Sequence, residues 1–167
     1  MLIADVTTPG GWARHVSKYT NAFGQGDIRR CRWKDLDFTG SELSGIRLFD
    51  CEIQNCRFDA CQFEDLRVWS SSFSDTSFRG ARLRRAVLGG VQDGRRNIFS
   101  KVDFNNADLR QSIYTAAAFE HCIIKKTQLV KIDFQTSTFS DCTFEGELRV
   151  IGPGISEPGG MLVFGRI

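Results

Sequence analysis

From Phe23 to Leu88 an apolar residue returns at every fifth position without a miss: Phe23, Ile28, Trp33, Phe38, Leu43, Leu48, Ile53, Phe58, Phe63, Val68, Phe73, Phe78, Leu83 and Leu88. After a break the pattern resumes as Phe99, Phe104, Leu109, Tyr114, Phe119, Ile124, Leu129, Phe134, Phe139 and Phe144. A helix repeats every 3.6 residues and a strand every 2, so neither accounts for a period of five. An internal repeat does. Two residues before each centre stands a second class of residue, mostly small, such as Cys51, Cys56, Cys61, Ser71, Thr76, Ala81 and Ala86. Two inward residues in every five fit a chain that runs along one side of a coil and then turns. The large residue fills the interior and the small one sits near the corner.

Charge pairing tells how many sides close the coil. Stacked coils bring residues of neighbouring rungs to about 4.8 Å, so charges directly above one another should be opposite. Between residues 21 and 88, eight charged pairs are twenty apart and seven of them are opposite: Asp27–Arg47, Arg30–Asp50, Arg32–Glu52, Asp37–Arg57, Asp59–Arg79, Glu64–Arg84 and Asp65–Arg85. Only Arg47–Arg67 is like-charged. At offsets of ten, fifteen and twenty-five, opposite signs are the minority. Four repeats of five therefore close one turn.

The stretches "SELSGIRLFDCEIQNCRFDACQFEDL" and "VDFNNADLRQS" resemble the pentapeptide-repeat family and its A-(D/N)-L-x-x units, with "ADLRQ" at Ala107 to Gln111 a clean copy. The resemblance covers roughly residues 21 to 146. It implies an all-β, right-handed quadrilateral β-helix, a solenoid of about six coils and about 30 Å in length. The expected core centres are Trp33, Phe38, Phe58, Phe63, Phe73, Phe78, Phe104, Leu109, Phe119, Phe134 and Phe139. Residues 1–20 are expected to cap the first coil, with Trp12, Val16 and Tyr19 at helical spacing. Residues 21–150 form the repeat rod, and 151–167 a Gly/Pro-rich tail. In that tail Met161 to Phe164 would cover the last coil or pair with a second copy, giving a homodimer through a rod end.

One phase break lies at Gly89 to Ile98. Leu88 and Phe99 are eleven apart, so the sequence reads as two repeats plus one extra residue. Asp-Gly and Gly-Gly are turn chemistry, and solenoids bind partners through such projections. Arg82, Arg95, Arg96 and Lys101 group around this break without an assigned acid: Arg82 lies over Gln62, and the phase slip removes any ladder partner for Arg95 and Arg96. They are the candidate partner-binding residues, alongside the blander reading of a tolerated insertion.

The six cysteines (Cys31, Cys51, Cys56, Cys61, Cys122 and Cys142) all stand at the small inward position. With no C-x-x-C motif and only two histidines, His15 and His121, they read as buried free thiols in a reducing compartment. No nucleophile elbow, phosphate-binding glycine loop or metal motif is present, so no catalytic, cofactor or metal residues are expected. A net charge of +2 gives no general case for nucleic acid, and no apolar run reaches a membrane span. The N-terminus lacks the basic and apolar regions of a secretory signal, so a cytoplasmic location is expected.

The reading is a non-catalytic scaffold for a protein partner. The resemblance implies an alternative, because some bacterial members of the family mimic DNA and protect type II topoisomerases such as DNA gyrase from antibiotics. An enzyme is the remaining, remote reading. The balanced charge of this rod departs from the acidic surface that DNA mimicry uses.

Overall fold

The computed structural model describes residues 27–89, 95–128, 134 and 136–145. The expected N-terminal cap, the centres Phe23 and Leu129, and the C-terminal tail lie outside the described residues. The described chain is an all-β solenoid of eleven three-residue strands and about five turns. The strands are β1 (Asp27–Arg29), β2 (Arg32–Lys34), β3 (Arg47–Phe49), β4 (Glu52–Gln54), β5 (Arg67–Trp69), β6 (Ser72–Ser74), β7 (Ile98–Ser100), β8 (Ala118–Glu120), β9 (Ile123–Lys125), β10 (Thr138–Ser140) and β11 (Thr143–Glu145). Every pairing is parallel.

The coil has four faces. The first stacks β1, β3 and β5 and continues through Val87 and Ile113. The second stacks β2, β4, β6, β7, β8 and β10. The third runs through Asp37, Arg57, Ser77 and Asp103 to β9 and β11, and the fourth through Glu42, Gln62, Arg82, Asp108 and Gln128. Register steps by twenty, as in Asp27↔Arg47 and Arg32↔Glu52, which is the spacing the charge pairs selected.

Two residues in five point inward. The centre of each β1 to β9 strand is buried, and residues such as Cys31, Leu36, Ile46, Cys56, Ala81 and Ala107 fill the corners. All the expected core centres are buried except Phe139, which is half-buried against the cluster. The abundance of phenylalanine follows from the stacking. Phe38, Phe58, Phe78 and Phe104 form one column with centroid spacings of 4.7, 5.0 and 5.5 Å. Phe73, Phe99, Phe119 and Phe139 form another at 5.2, 4.9 and 4.8 Å. A rise of about 4.8 Å per coil places flat rings in near-parallel contact, a geometry aromatic pairs tolerate well when offset.

The corners carry a signal that the apolar period does not reveal. All twenty described residues two places after a centre have a left-handed backbone, from Arg30 and Asp35 to Thr136 and Asp141. Ten of them are Asp, Asn or Gly, the types that adopt this conformation at least cost. At the corners after the third and fourth faces, the centre's carbonyl accepts from the residue three on, as in Ser41 N–H to Phe38 and Ala81 N–H to Phe78. That bond with a positive φ at the third residue is a type II turn.

The break differs from the sequence reading. Phe99 does not stand two repeats beyond Leu88. It stacks on Phe73, so the interrupted coil takes 26 residues, as Ser72↔Ile98, Phe73↔Phe99 and Ser77↔Asp103 show. The chain therefore carries six extra residues between the first and second faces. Six exceeds one repeat by one, which is why the count along the sequence looked like a slip of one residue. Above the break the step is twenty again, as in Ile98↔Ala118.

Six of the seven expected opposite-charge pairs form ion pairs: Asp27–Arg47, Arg30–Asp50, Arg32–Glu52, Asp37–Arg57, Glu64–Arg84 and Asp65–Arg85. The exception is Asp59–Arg79. The 26-residue coil brings Asp103 over Ser77, and the Arg79 guanidinium turns up to it at 2.8 Å. The Asp59 carboxylate accepts instead from the Arg79 backbone N–H and the Ser77 hydroxyl.

Candidate partner-binding surface

The six-residue excess lies between Gly89, the last described residue of the first face in the interrupted coil, and the strand of Phe99. Gly89 is buried, and a Cβ built on it would land on the backbone of Tyr114 and Thr115. Only glycine lets the chain pass so close beneath the next coil. Asn97 closes the other end. Its side-chain amide donates to the carbonyls of Val68 and Leu88, both at 2.8 Å, and its side-chain oxygen accepts from the Ser71 N–H. One fully buried amide thus ties the departing strand to the returning one. In the five-residue frame Asn97 stands two before a centre, a place that mostly holds small residues.

Beyond this clamp Arg95 reaches back down the rod. Its guanidinium meets the Asp50 carboxylate at 2.7 Å, while Arg30 approaches the same carboxylate from below at 3.8 Å. Arg95 thus has an acidic partner, contrary to the expectation from the ladder, because the insertion folds it over the corner between the first two faces. A groove of about 360 Å³ opens there, lined by Asp50, Glu52, Ser70, Ser72, Arg95, Arg96 and Ile98, among others. Arg96 is exposed in it.

The four candidate residues do not form one patch. Arg95 and Arg96 sit at the corner between the first and second faces. Lys101 sits at the next corner, between the second and third faces, 3.8 Å from Asp75. It lines a second groove of about 600 Å³ with Asp35, Asp37, Arg57, Asp75 and Asp103. Arg82 is exposed on the fourth face, between Gln62 and Asp108 in the register. Proximity in sequence had suggested a cluster, but one coil of four sides spreads neighbouring repeats over different directions.

Several outward acids are held below the ordinary carboxylate range. The Thr39 hydroxyl and backbone N–H do this for Asp37, and a hydrogen bond from Arg85 does it for Asp65. Burial works against ionisation of Asp108, but its hydrogen bonds from Arg110 prevail and lower it. These shifts belong to ladder and turn contacts.

The six cysteines are free thiols, five buried and Cys142 half-buried. Burial pushes Cys56 and Cys61 up to about 11. The Cys51 sulfur beside Cys31, together with burial, raises the Cys31 thiol, and Cys142 acts likewise on Cys122. Among the described residues no group of three His, Cys, Asp or Glu side chains is arranged to hold a metal ion.

The sequence reading did not single out the outward side of the first face. There Phe49 and Trp69, each one residue past a centre, stack on one another at 4.7 Å. The Arg29 guanidinium lies 4.3 Å over the Phe49 ring. A search for aromatic residues off the five-residue phase would have found both.

No protein-family model matches the chain, and no curated protein matches it. Among solved structures it is similar to the pentapeptide repeat protein Rfr23 from the cyanobacterium Cyanothece 51142, with a TM-score of 0.64 and 10% identity over 71% of this chain and 90% of that one. Weaker likenesses include QnrB1, a plasmid-mediated fluoroquinolone resistance protein, with a TM-score of 0.31 and 14% identity over 68% of this chain and 82% of that one. A pentapeptide repeat protein from the Arabidopsis thaliana thylakoid lumen has a TM-score of 0.30 and 22% identity over 60% and 59%. The five-residue repeat, the four-sided parallel coil and the likeness to Rfr23 together identify the fold of this chain as that of the pentapeptide-repeat proteins.

Proposed function

We propose that this chain is a non-catalytic scaffold that binds a protein partner. The observation that carries the reading is the interrupted coil. Along most of the regular ladder the outward charges are paired with neighbours one coil away, which leaves a partner little to engage. Here one coil takes six residues more than the others, buried Gly89 and Asn97 flank the excess, and Arg95 and Arg96 stand at the rim of a groove. Guanidinium groups in such a place can take up carboxylates bidentately. Arg82 and Lys101 would add contacts only for a partner that wraps more than one face.

The finer alternative, protection of a type II topoisomerase by DNA mimicry, calls for a predominantly acidic rod. In this chain the ladder alternates sign and the net charge is +2, which supports the general scaffold reading. The test uses the intact chain as bait in a native extract, beside an Arg95→Ser/Arg96→Ser variant of unchanged thermal midpoint. A partner captured by the first and weakened with the second supports the reading. Equal capture by both moves recognition away from the break. Dose-dependent rescue of gyrase supercoiling in the presence of a quinolone would establish the alternative.

A further inference from the structure

The first face differs from the other three in its outward side chains. Its outward positions before the centres are Asp27, Arg47, Arg67, Val87 and Ile113, and those after are Arg29, Phe49, Trp69, Gly89 and Thr115. Among the described residues it is the one face with outward aromatic rings. Of the charges in those positions, three are arginines and one is an acid. Asp27 is shared by Arg29 and Arg47, at 3.4 and 3.5 Å. Asp65, which lies near Arg67, is already held by Arg85.

The same two rungs hold a like-charged step of the ladder. Arg47 and Arg67 are direct partners in the parallel register, a juxtaposition that costs stability. Beside them Phe49 and Trp69 are half-buried on the solvent side, and Ile113 above is 40% exposed. Repulsion and exposed apolar surface, both unfavourable in the free rod, coincide on one face. An acidic partner would relieve both.

We infer that the outward first face is the docking surface for an acidic segment of a partner protein that also carries aromatic or aliphatic side chains. The inference rests on the scaffold reading and names the chemistry of the partner. Carboxylates would meet Arg47 and Arg67, and apolar groups would cover the Phe49–Trp69 edge and Ile113. A nucleic acid fits less well. Bases bind by stacking on ring faces. Here Trp69 covers one face of Phe49 and Arg29 the other, so that Phe49 offers its edge. A second copy of the same face would set arginine against arginine.

The experiment titrates the full chain with three probes at two salt concentrations: a random Glu–Tyr copolymer, polyglutamate and a single-stranded oligonucleotide. The copolymer should bind most tightly. Arg67→Glu and Trp69→Ser should each weaken it roughly fivefold or more, the worth of a surface contact. Arg67→Glu should keep the thermal midpoint within about 2 °C, because a carboxylate there faces Arg47. Equal or tighter binding of the oligonucleotide overturns the inference in favour of a polyanion site. Copolymer binding that is absent, or unaffected by both substitutions, also overturns it. Failure of the scaffold reading shows up separately, as no specific capture from native extract. A partner captured equally by the wild type and both first-face variants leaves the scaffold standing and removes this face.

Discussion

Phe99 and Ile98 are neighbours on β7 with opposite fates, and together they test both the alternation and the register across the break. Phe99 is 1% exposed and lies between Phe73 and Phe119 at 5.2 and 4.9 Å, with Phe104 and Tyr114 tilted against it. Ile98 is 40% exposed. Truncating a buried Phe to Ala costs about 3–5 kcal/mol, since the apolar transfer energy is lost and the cavity left behind closes only partly. Phe99 sits in the middle of a column, where rings above and below are fixed by backbone ladders, so the upper part of that range applies. For a chain of this length 1 kcal/mol shifts the midpoint by about 2–4 °C, which puts Phe99→Ala about 8–20 °C below wild type. Ile98→Ala should cost less than about 1 kcal/mol. Circular dichroism at equilibrium in urea, with a thermal scan alongside, measures both. Comparable losses from the two substitutions would refute the inward placement of Phe99, and with it the stacking of residue 99 on 73.

Three other perturbations have definite outcomes. Gly89→Ala places a methyl on the Thr115 backbone and should lower the midpoint more than Gly80→Ala, where a Cβ meets nothing and the left-handed φ alone costs about 1–2 kcal/mol; equal midpoints would contradict the close approach. Tyr114→Phe should stabilise the protein by about 1 kcal/mol or more, because the Tyr114 hydroxyl is buried without a hydrogen-bond partner and burial pushes its ionisation up; a loss of stability in denaturant would show that the hydroxyl is satisfied. Burial raises Cys56 and Cys61 from 9.0 to about 11, so the stability tied to their neutral thiols is intact below pH 9 and declines as pH rises towards 11. Cys56→Ala/Cys61→Ala should flatten that alkaline decline in midpoint-against-pH curves, and an unchanged slope would assign it to other groups.

Much of the fold was legible because the core is one-dimensional. Each centre from Ile28 to Leu88 touches equivalents twenty residues away, so a single period encodes both burial and stacking. The charge ladder gave the number of sides for the same reason. The break was misread because an insertion of six residues and a slip of one leave the same phase in a five-residue count. Only the pairing of Phe73 with Phe99 separates them. Asn97 was passed over because its role lies in bonds to Val68 and Leu88, which no local pattern encodes. Arg95 was expected to lack an acid because its partner Asp50 lies 45 residues back, outside any regular offset. The left-handed corners were encoded weakly, since Arg30, Ala60, Lys101 and His121 occupy them as well as Asp, Asn and Gly. Phe49 and Trp69 stood in plain view but off the phase that guided the reading.

The register at the break is the central claim, and paired cysteines test it most directly. Ser74 and Ser100 point outward and are direct partners in adjacent coils. Parallel partners at about 4.8 Å fall within the Cα separation that a disulfide spans. Under the two-repeats-plus-one reading of the sequence, residue 95 would take that rung instead. With the native cysteines left in place, Ser74→Cys/Ser100→Cys and Ser74→Cys/Arg95→Cys are oxidised mildly, and the bridges are identified by mass spectrometry of digests. The account predicts a rapid, near-complete 74–100 bridge and no 74–95 bridge. A 74–95 bridge, or no bridge at 74–100 under the same conditions, would contradict the 26-residue coil.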